Sequence, residues 1–306
     1  MTQANPPTKP FKEYHELVDL LRLRQMQMTD TDYTLKKLTQ VGYYRLSGFW
    51  HICRKPNVDN TLSDDFLPNT DFHQVYQLYI FDKKLRILLL DAIERLEINL
   101  RSIIAHEMAR FDPLAYLDSQ YIDPKYMTSY QEWKNKLNDK INKSRDDFVI
   151  WHNTTNKPLP FWVVIETWDF GMLSKYYSLL KGRYQKLIAR QFNINNQRVL
   201  KNWLEQINII RNQSAHHSRI WNRKYNPINQ LNADYFKQFQ LQKHQQERLF
   251  ARIIVIWYLV SQYTLHYQWH KKIIDLIDND FPTLPNVKLT SMGIDKDSLK
   301  ILEKIK

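Results

Sequence analysis

Between residues 72 and 110, Leu78, Phe81, Leu85, Leu89, Ala92, Leu96, Leu100 and Ile103 recur at steps of three or four, with no Pro or Gly among them. That spacing puts all eight on one stripe of a helix about 58 Å long, at 1.5 Å per residue. Asp91 with Arg95 and Glu97 with Arg101 are i,i+4 pairs that support it, and Asp112-Pro113 closes it. A stripe of that length calls for other helices to cover it. Glycine is correspondingly scarce, at 5 of 306 residues. This leaves little for the positive-φ turns of sandwiches and barrels or for phosphate-cradling loops. No G-x-G-x-x-G or G-x-x-x-x-G-K-[ST] run occurs, which argues against dinucleotide-binding and P-loop enzymes.

Further helical patterns extend the all-α reading. Tyr14, Leu17, Val18 and Leu21 share a face; Asp30 and its neighbours offer an N-cap to a helix ending at Gly42. Helices are predicted over residues 130–145, 161–168, 172–180, 197–220 and 245–277, and residues 55–70 read as a loop. Only short stretches such as Val163-Val164-Ile165 have strand character, and none alternates over a full strand length. The expected organisation is a disordered tail (1–10), an N-terminal helical subdomain (11–70), a main helical domain (71–280) and a C-terminal appendage (281–306). Trp162 and Trp221 are assigned to the core.

A lone cysteine, Cys53, excludes a disulfide framework and a thiolate metal cluster. The longest apolar run, residues 253–260, is far short of the ~20 residues that span a bilayer. The polar, Pro-rich start carries no secretory signal pattern. A soluble cytoplasmic protein without a membrane partner is expected.

The formal net charge of +12 is unevenly placed. Residues 1–150 balance 21 basic against 21 acidic side chains, whereas residues 151–306 hold 23 against 11; residues 175–252 alone carry 15 against 3. Such density favours a polyanion, most simply nucleic acid, over a merely high isoelectric point.

Within that stretch, Arg211, Asn212, His216 and His217 follow directly behind the apolar positions Trp203, Leu204, Ile207 and Ile210. On a helix Asn212 and His216 share a face, while Arg211 and His216 stand about 140° apart. Either the long Arg211 side chain reaches round, or a second copy supplies the facing set across a two-fold seam. The residue types suit RNA cleavage by internal attack. Histidine can act as base for a 2′-OH or acid for a 5′-oxygen, and arginine grips phosphate oxygens without losing its charge. No metal or other cofactor is called for, and no metal-ligand spacing is evident. By local pattern alone, a helix-end Arg-Asn-His cluster also reads as capping and ion pairing.

The segment from Arg211 to Arg223 resembles the R-N-x-x-A-H-H-x-R-x-W-N-R signature of the abortive-infection family related to AbiD and AbiF, within the HEPN superfamily. Arg211 with His216 or His217 matches that superfamily's R-x4-6-H. Three further blocks are similar: Gly42-Tyr43-Tyr44-Arg45-Leu46-Ser47-Gly48-Phe49-Trp50; the E-x-x-E-x-x-x-R run of Glu94, Glu97 and Arg101; and Leu159-Pro160-Phe161-Trp162 through Glu166 to Phe170-Gly171-Met172-Leu173-Ser174. Gln213-Ser214 departs from it, since the family often has an apolar residue and then Cys there. The resemblance covers residues 41–223.

It implies an all-α, HEPN-type helical bundle with an N-terminal helical extension, acting as a metal-independent endoribonuclease toxin of phage defence. Such proteins commonly form homodimers with a composite site, and some are restrained by a small structured antitoxin RNA. Arg211 would hold the scissile phosphate, Asn212 would orient phosphate or histidine, and His216 would transfer protons, with His217 the second choice. Glu94 and Glu97 would tune this set from a neighbouring helix, or Glu97 would simply pair with Arg101. Arg183, Lys186, Arg219, Arg223 and Lys224 are the candidate RNA-backbone contacts. Tyr43, Tyr44, Phe49 and Trp50 would stack bases or form a satellite core. The rival reading is a non-catalytic protein that holds a small structured RNA.

Overall fold

The computed structural model describes residues 8–59, 61–229, 234–264, 267–295 and 297–304; of the tail expected over 1–10, residues 1–7 lie outside the described residues. In chain order the elements are α1 (Tyr14–Leu23), α2 (Thr31–Val41), α3 (Tyr43–Trp50), β1 (Arg54–Pro56), β2 (Leu62–Phe66), α4 (Phe72–Ala109), α5 (Met127–Lys143), α6 (Asp147–Thr154), α7 (Phe161–Val164), α8 (Phe170–Leu179), α9 (Gly182–Arg190) and α10 (Gln197–Ala215). After these come α11 (Asp234–Lys237), α12 (Lys243–Gln246), α13 (Leu249–Ser261), α14 (Trp269–Asp280) and α15 (Ser298–Lys304). The fold is all-α, with one antiparallel hairpin that pairs Arg54 with Phe66 and Pro56 with Leu62. This hairpin lies in the stretch expected to be a loop. Its polar turn, closed by the Asn57 N–H on Thr61 O at 2.7 Å and the Thr61 N–H on Asp59 Oδ1 at 3.0 Å, reads as loop in sequence.

The chain divides into two compact units, residues 1–84 with 275–288 and residues 85–274 with 289–306. In the first, Leu21, Leu38, Leu46, Trp50, Phe72 and Leu78 form the core. Asp30 caps α2 by accepting the Tyr33 N–H at 2.8 Å, and Gly42, at φ +89°, ends it. Phe49 and Trp50 are buried and Tyr43 packs edge-on against Trp50 at 5.1 Å, so these three are satellite core; Tyr44 is 92% exposed. Burial pushes the Cys53 thiol up to about 12, which removes it as a nucleophile.

In the second unit Trp133, Phe161, Trp168 and Tyr176 form an aromatic cluster, Trp133 lying 4.7 Å from Trp168 between ring centres. Trp221 is buried, as expected. Trp162 is not: Phe161 turns inward, and its neighbour Trp162 is 56% exposed. Consecutive helical residues point about 100° apart, so one apolar side chain of the two is left outside. The expected helix over 245–277 is broken into α12, α13 and α14. At the end of α13 the side chains of Ser261, Gln262 and Thr264 donate to the carbonyls of Tyr258, Tyr258 and Val260, competing with helix continuation. Residues 163–165 are helical rather than extended.

α13 is buried on all sides from Leu249 to Val260, Arg252 included. Arg252 has no carboxylate partner among the described residues. It donates instead to the carbonyls of Gln246 at 2.5 Å, Arg248 at 3.0 Å and Asn226, and to Gln206 Oε1 at 2.8 Å. Its guanidinium also lies over Tyr225 at 4.8 Å, and burial pulls its pKa down to about 10.

Candidate active site

Asn196 starts α10 by accepting the Arg198 N–H at 3.0 Å. Val199, Leu200, Trp203, Leu204, Ile207 and Ile210 then bury one stripe, as their spacing dictates. α8 approaches at Gly171, where a Cβ would sit 3.2 Å from Asp169 Oδ1 and 3.4 Å from Asn208 Oδ1. The stripe thus fixes which way the last turn of α10 faces.

That last turn ends at Ala215, five residues before the expected stop. His216 is the C-cap and donates its N–H to Asn212 O at 2.9 Å. His217 follows in the left-handed region at φ +58°; its N–H reaches Ser214 O at 3.3 Å and the Ser218 N–H reaches Gln213 O at 2.8 Å. This is the Schellman arrangement, in which glycine is usual. Holding a histidine there costs on the order of 1 kcal/mol. His217 Nδ1 lies 3.4 Å from Nη1 of Arg86, a buried residue of α4. The His216 ring is exposed and makes no side-chain hydrogen bond among the described residues.

Arg211 opens onto a cleft of 340 Å³ lined with Glu94, Glu97, Ile98 and Arg101 of α4. Its Nη1 also donates to Asn212 Oδ1 at 3.4 Å. Glu97 pairs with Arg101 at 2.6 Å, so the intrahelical pairing and the meeting with Arg211 both occur. Burial raises the Glu97 carboxyl above its ordinary value, and the charges of Arg101 and Arg211 offset this only in part. Asp169 caps α8 through the Met172 N–H at 2.9 Å and pairs with Lys140 at 2.7 Å. Burial opposes its ionisation, but those contacts and the Arg211 charge outweigh it and hold the carboxyl low. His216 does not line this cleft, consistent with its angular offset from Arg211.

Away from the cleft, Arg183 and Lys186 are exposed on α9, and Arg190 continues the same edge. Arg183 donates to Tyr184 Oη at 2.7 Å. Arg219 is half-buried; Arg223 and Lys224 are exposed, Lys224 paired with Glu247 at 2.9 Å. Sequence reasoning missed Arg86, Lys140 and Asp169. Asp169 stands as an N-cap signal directly before α8, and Arg86 as a charged residue inside a buried stripe; Lys140 carries no such mark.

Among the described residues no helix is long and apolar enough to cross a membrane, and no group of three or more His, Cys, Asp or Glu is placed to hold a metal ion. A family model described as "Abi-like protein" matches residues 36–222, more than half of the chain. No curated protein and no solved structure matches it.

Proposed function

Because the chain belongs to the Abi-like protein family, a family of abortive infection and phage defence, we propose that it is a HEPN-type, metal-independent endoribonuclease toxin acting through the last turn of α10. The observation that carries the reading is the division of labour at that turn. His216 serves the helix end with its backbone alone and leaves its imidazole exposed, with no side-chain hydrogen bond among the described residues, while Arg211 faces a polar cleft. A histidine present only for capping would have its ring on the terminal carbonyls.

In the proposed reaction a substrate 2′-oxygen attacks the adjacent phosphorus. One imidazole accepts the 2′-proton, and another delivers a proton to the departing 5′-oxygen. The products are a 2′,3′-cyclic phosphate and a 5′-hydroxyl. Arg211 grips the non-bridging oxygens as negative charge builds, and Asn212 orients the guanidinium. The 140° offset between Arg211 and His216 favours a homodimer in which the second copy's His216 completes the set. Arg183, Lys186, Arg219 and Arg223 then supply backbone attraction outside the cleft. The carboxylates Glu94, Glu97 and Asp169 around Arg211 favour a second reading, a non-catalytic protein that holds a small structured RNA on the same basic residues.

The test expresses wild type, Arg211→Ala and His216→Ala in bacteria, scores growth and RNA integrity, and incubates each purified protein with RNA and EDTA. Growth arrest and cyclic-phosphate ends from wild type alone support the enzyme, with each variant slowed about 10²–10⁴-fold. Equal cleavage by all three overturns the site. RNA binding by all three with cleavage by none gives the binder.

A further inference from the structure

We infer that Trp162 is a nucleobase-stacking platform beside the Arg211 cleft, the subsite for a base close along the strand from the scissile phosphate; this rests on the ribonuclease reading above. Trp162 is more than half exposed, so a large part of its indole face is open to a ligand. It borders a groove of 600 Å³, a volume typical of small-ligand sites. α4 lines the same groove with Ser102, Ala105 and Ala109. Residues so small, one turn apart, leave space beside the indole for another flat ring.

The rim is polar and sets two arginines, Arg101 and Arg110, against one carboxylate, Glu166. Arg110 is 61% exposed at its side chain and is joined by His106, whose Nε2 lies 3.1 Å from Arg110 Nη2. Arg101 belongs both to this groove and to the Arg211 cleft, so the two are neighbours along α4. Its guanidinium is held rigid, donating to Trp168 O from Nη2 at 2.6 Å and from Nε at 3.1 Å, and lying 3.5 Å from Glu166. An exposed aromatic plane with arginines beside it is the arrangement that holds single-stranded nucleic acid. A protein partner would need a contiguous apolar patch, and the apolar lining of this groove is the Trp162 indole, two alanine methyls and Ile165.

The test measures binding by fluorescence anisotropy at one fixed salt concentration, using the full chain with His216→Ala so that the RNA survives. The probe is a labelled single-stranded RNA of mixed sequence, together with a series carrying one abasic position each. Adding Trp162→Ala is expected to raise Kd roughly 5- to 150-fold, the equivalent of the ~1–3 kcal/mol per base stacked on an aromatic ring, while Trp162→Phe keeps most of the affinity. At one position the abasic RNA is expected to bind the parent weakly yet bind the Trp162→Ala protein no worse than intact RNA does. Equal Kd for parent and Trp162→Ala overturns the stacking site while leaving the ribonuclease reading intact, and turns the ring over to a protein partner. Losses that add at every position overturn it too. Absence of RNA binding by the parent overturns both. The unfolding temperature of each variant, expected to match the parent's, separates loss of stacking from loss of fold.

Discussion

Several helices among the described residues end through a residue with positive φ, α1 through Gln25, α2 at Gly42, α6 through Asn156 and α10 through His217, and of these α2 and α10 use opposite residues to do it. α2 stops on Gly42 at φ +89°, with open space where a Cβ would stand. α10 stops through His217 at φ +58°. Glycine accepts that geometry without strain; histidine does not. The first ending is a joint between α2 and α3 and is complete in itself. The second is held partly by the chain that follows: Tyr225 donates to Gln213 Oε1 at 3.1 Å, Arg248 to Asn222 O at 3.2 Å, and Arg252 to Asn226 O. The same strain is carried at Gln25 and Asn156, so what sets the α10 ending apart is the exposed imidazole of His216 beside the strained residue.

The largest effect that would break this comparison comes from Arg252→Met. Removing the guanidinium strips three backbone carbonyls and the buried Gln206 side chain of their donor, so a loss on the order of 3 kcal/mol is expected, lowering the unfolding temperature by about 5–10 °C. Arg211→Met, on the cleft, is expected to change stability by less than ~0.5 kcal/mol. Equal destabilisation in a thermal melt would make Arg211 a structural residue as well.

Gly42→Ala is the next in size. Nothing crowds the new methyl, so the cost is backbone strain alone, about 1–3 kcal/mol by urea denaturation, because Gly42 combines φ +89° with ψ 140°, outside the left-handed helical region. The mirror substitution, His217→Gly, is expected to stabilise by roughly 0.5–1 kcal/mol and to leave RNA cleavage within tenfold of wild type. Cleavage lost in His217→Gly but kept in His216→Ala would exchange the roles of the two histidines.

The smallest effect concerns the Asp169 carboxylate beside Arg211. Its pKa lies below that of an unfolded aspartate, so its contribution is complete above about pH 4 and is lost as pH falls through the folded value. Asp169→Asn keeps the cap on α8 and loses the charge pairing with Lys140. The stability gap between wild type and Asp169→Asn is therefore expected to close on acidification from pH 5 toward pH 3. A gap that stays constant would mean the charge is idle and only the cap acts.

The two endings also differ in how legible they were. The bounds of α2 follow from residues inside it or next to it, an aspartate that accepts an N–H and a glycine that tolerates positive φ. The sequence predicts α10 to run five residues longer because its stop places histidine where glycine is usual; the bonds that form it exist only once the chain has turned. Trp162 was misplaced for a related reason. Periodicity and apolar character say that a side chain is suited to burial, but not whether a neighbour arrives to cover it.

By itself the sequence determined the helical class, the long stripe of α4, the location of the positive charge, and the membership of Arg211, Asn212, His216 and His217 in one short segment. These are local properties, fixed by residue type and spacing within a few turns. Only the tertiary structure decided that Glu97 of α4 and Arg211 of α10 share one cleft, that Asp169 joins them electrostatically, and that Arg252 holds the segment after α10. Those pairings join residues far apart in the chain, and they arise from which buried stripes pack together. Nothing in the spacing of one helix specifies the face of another.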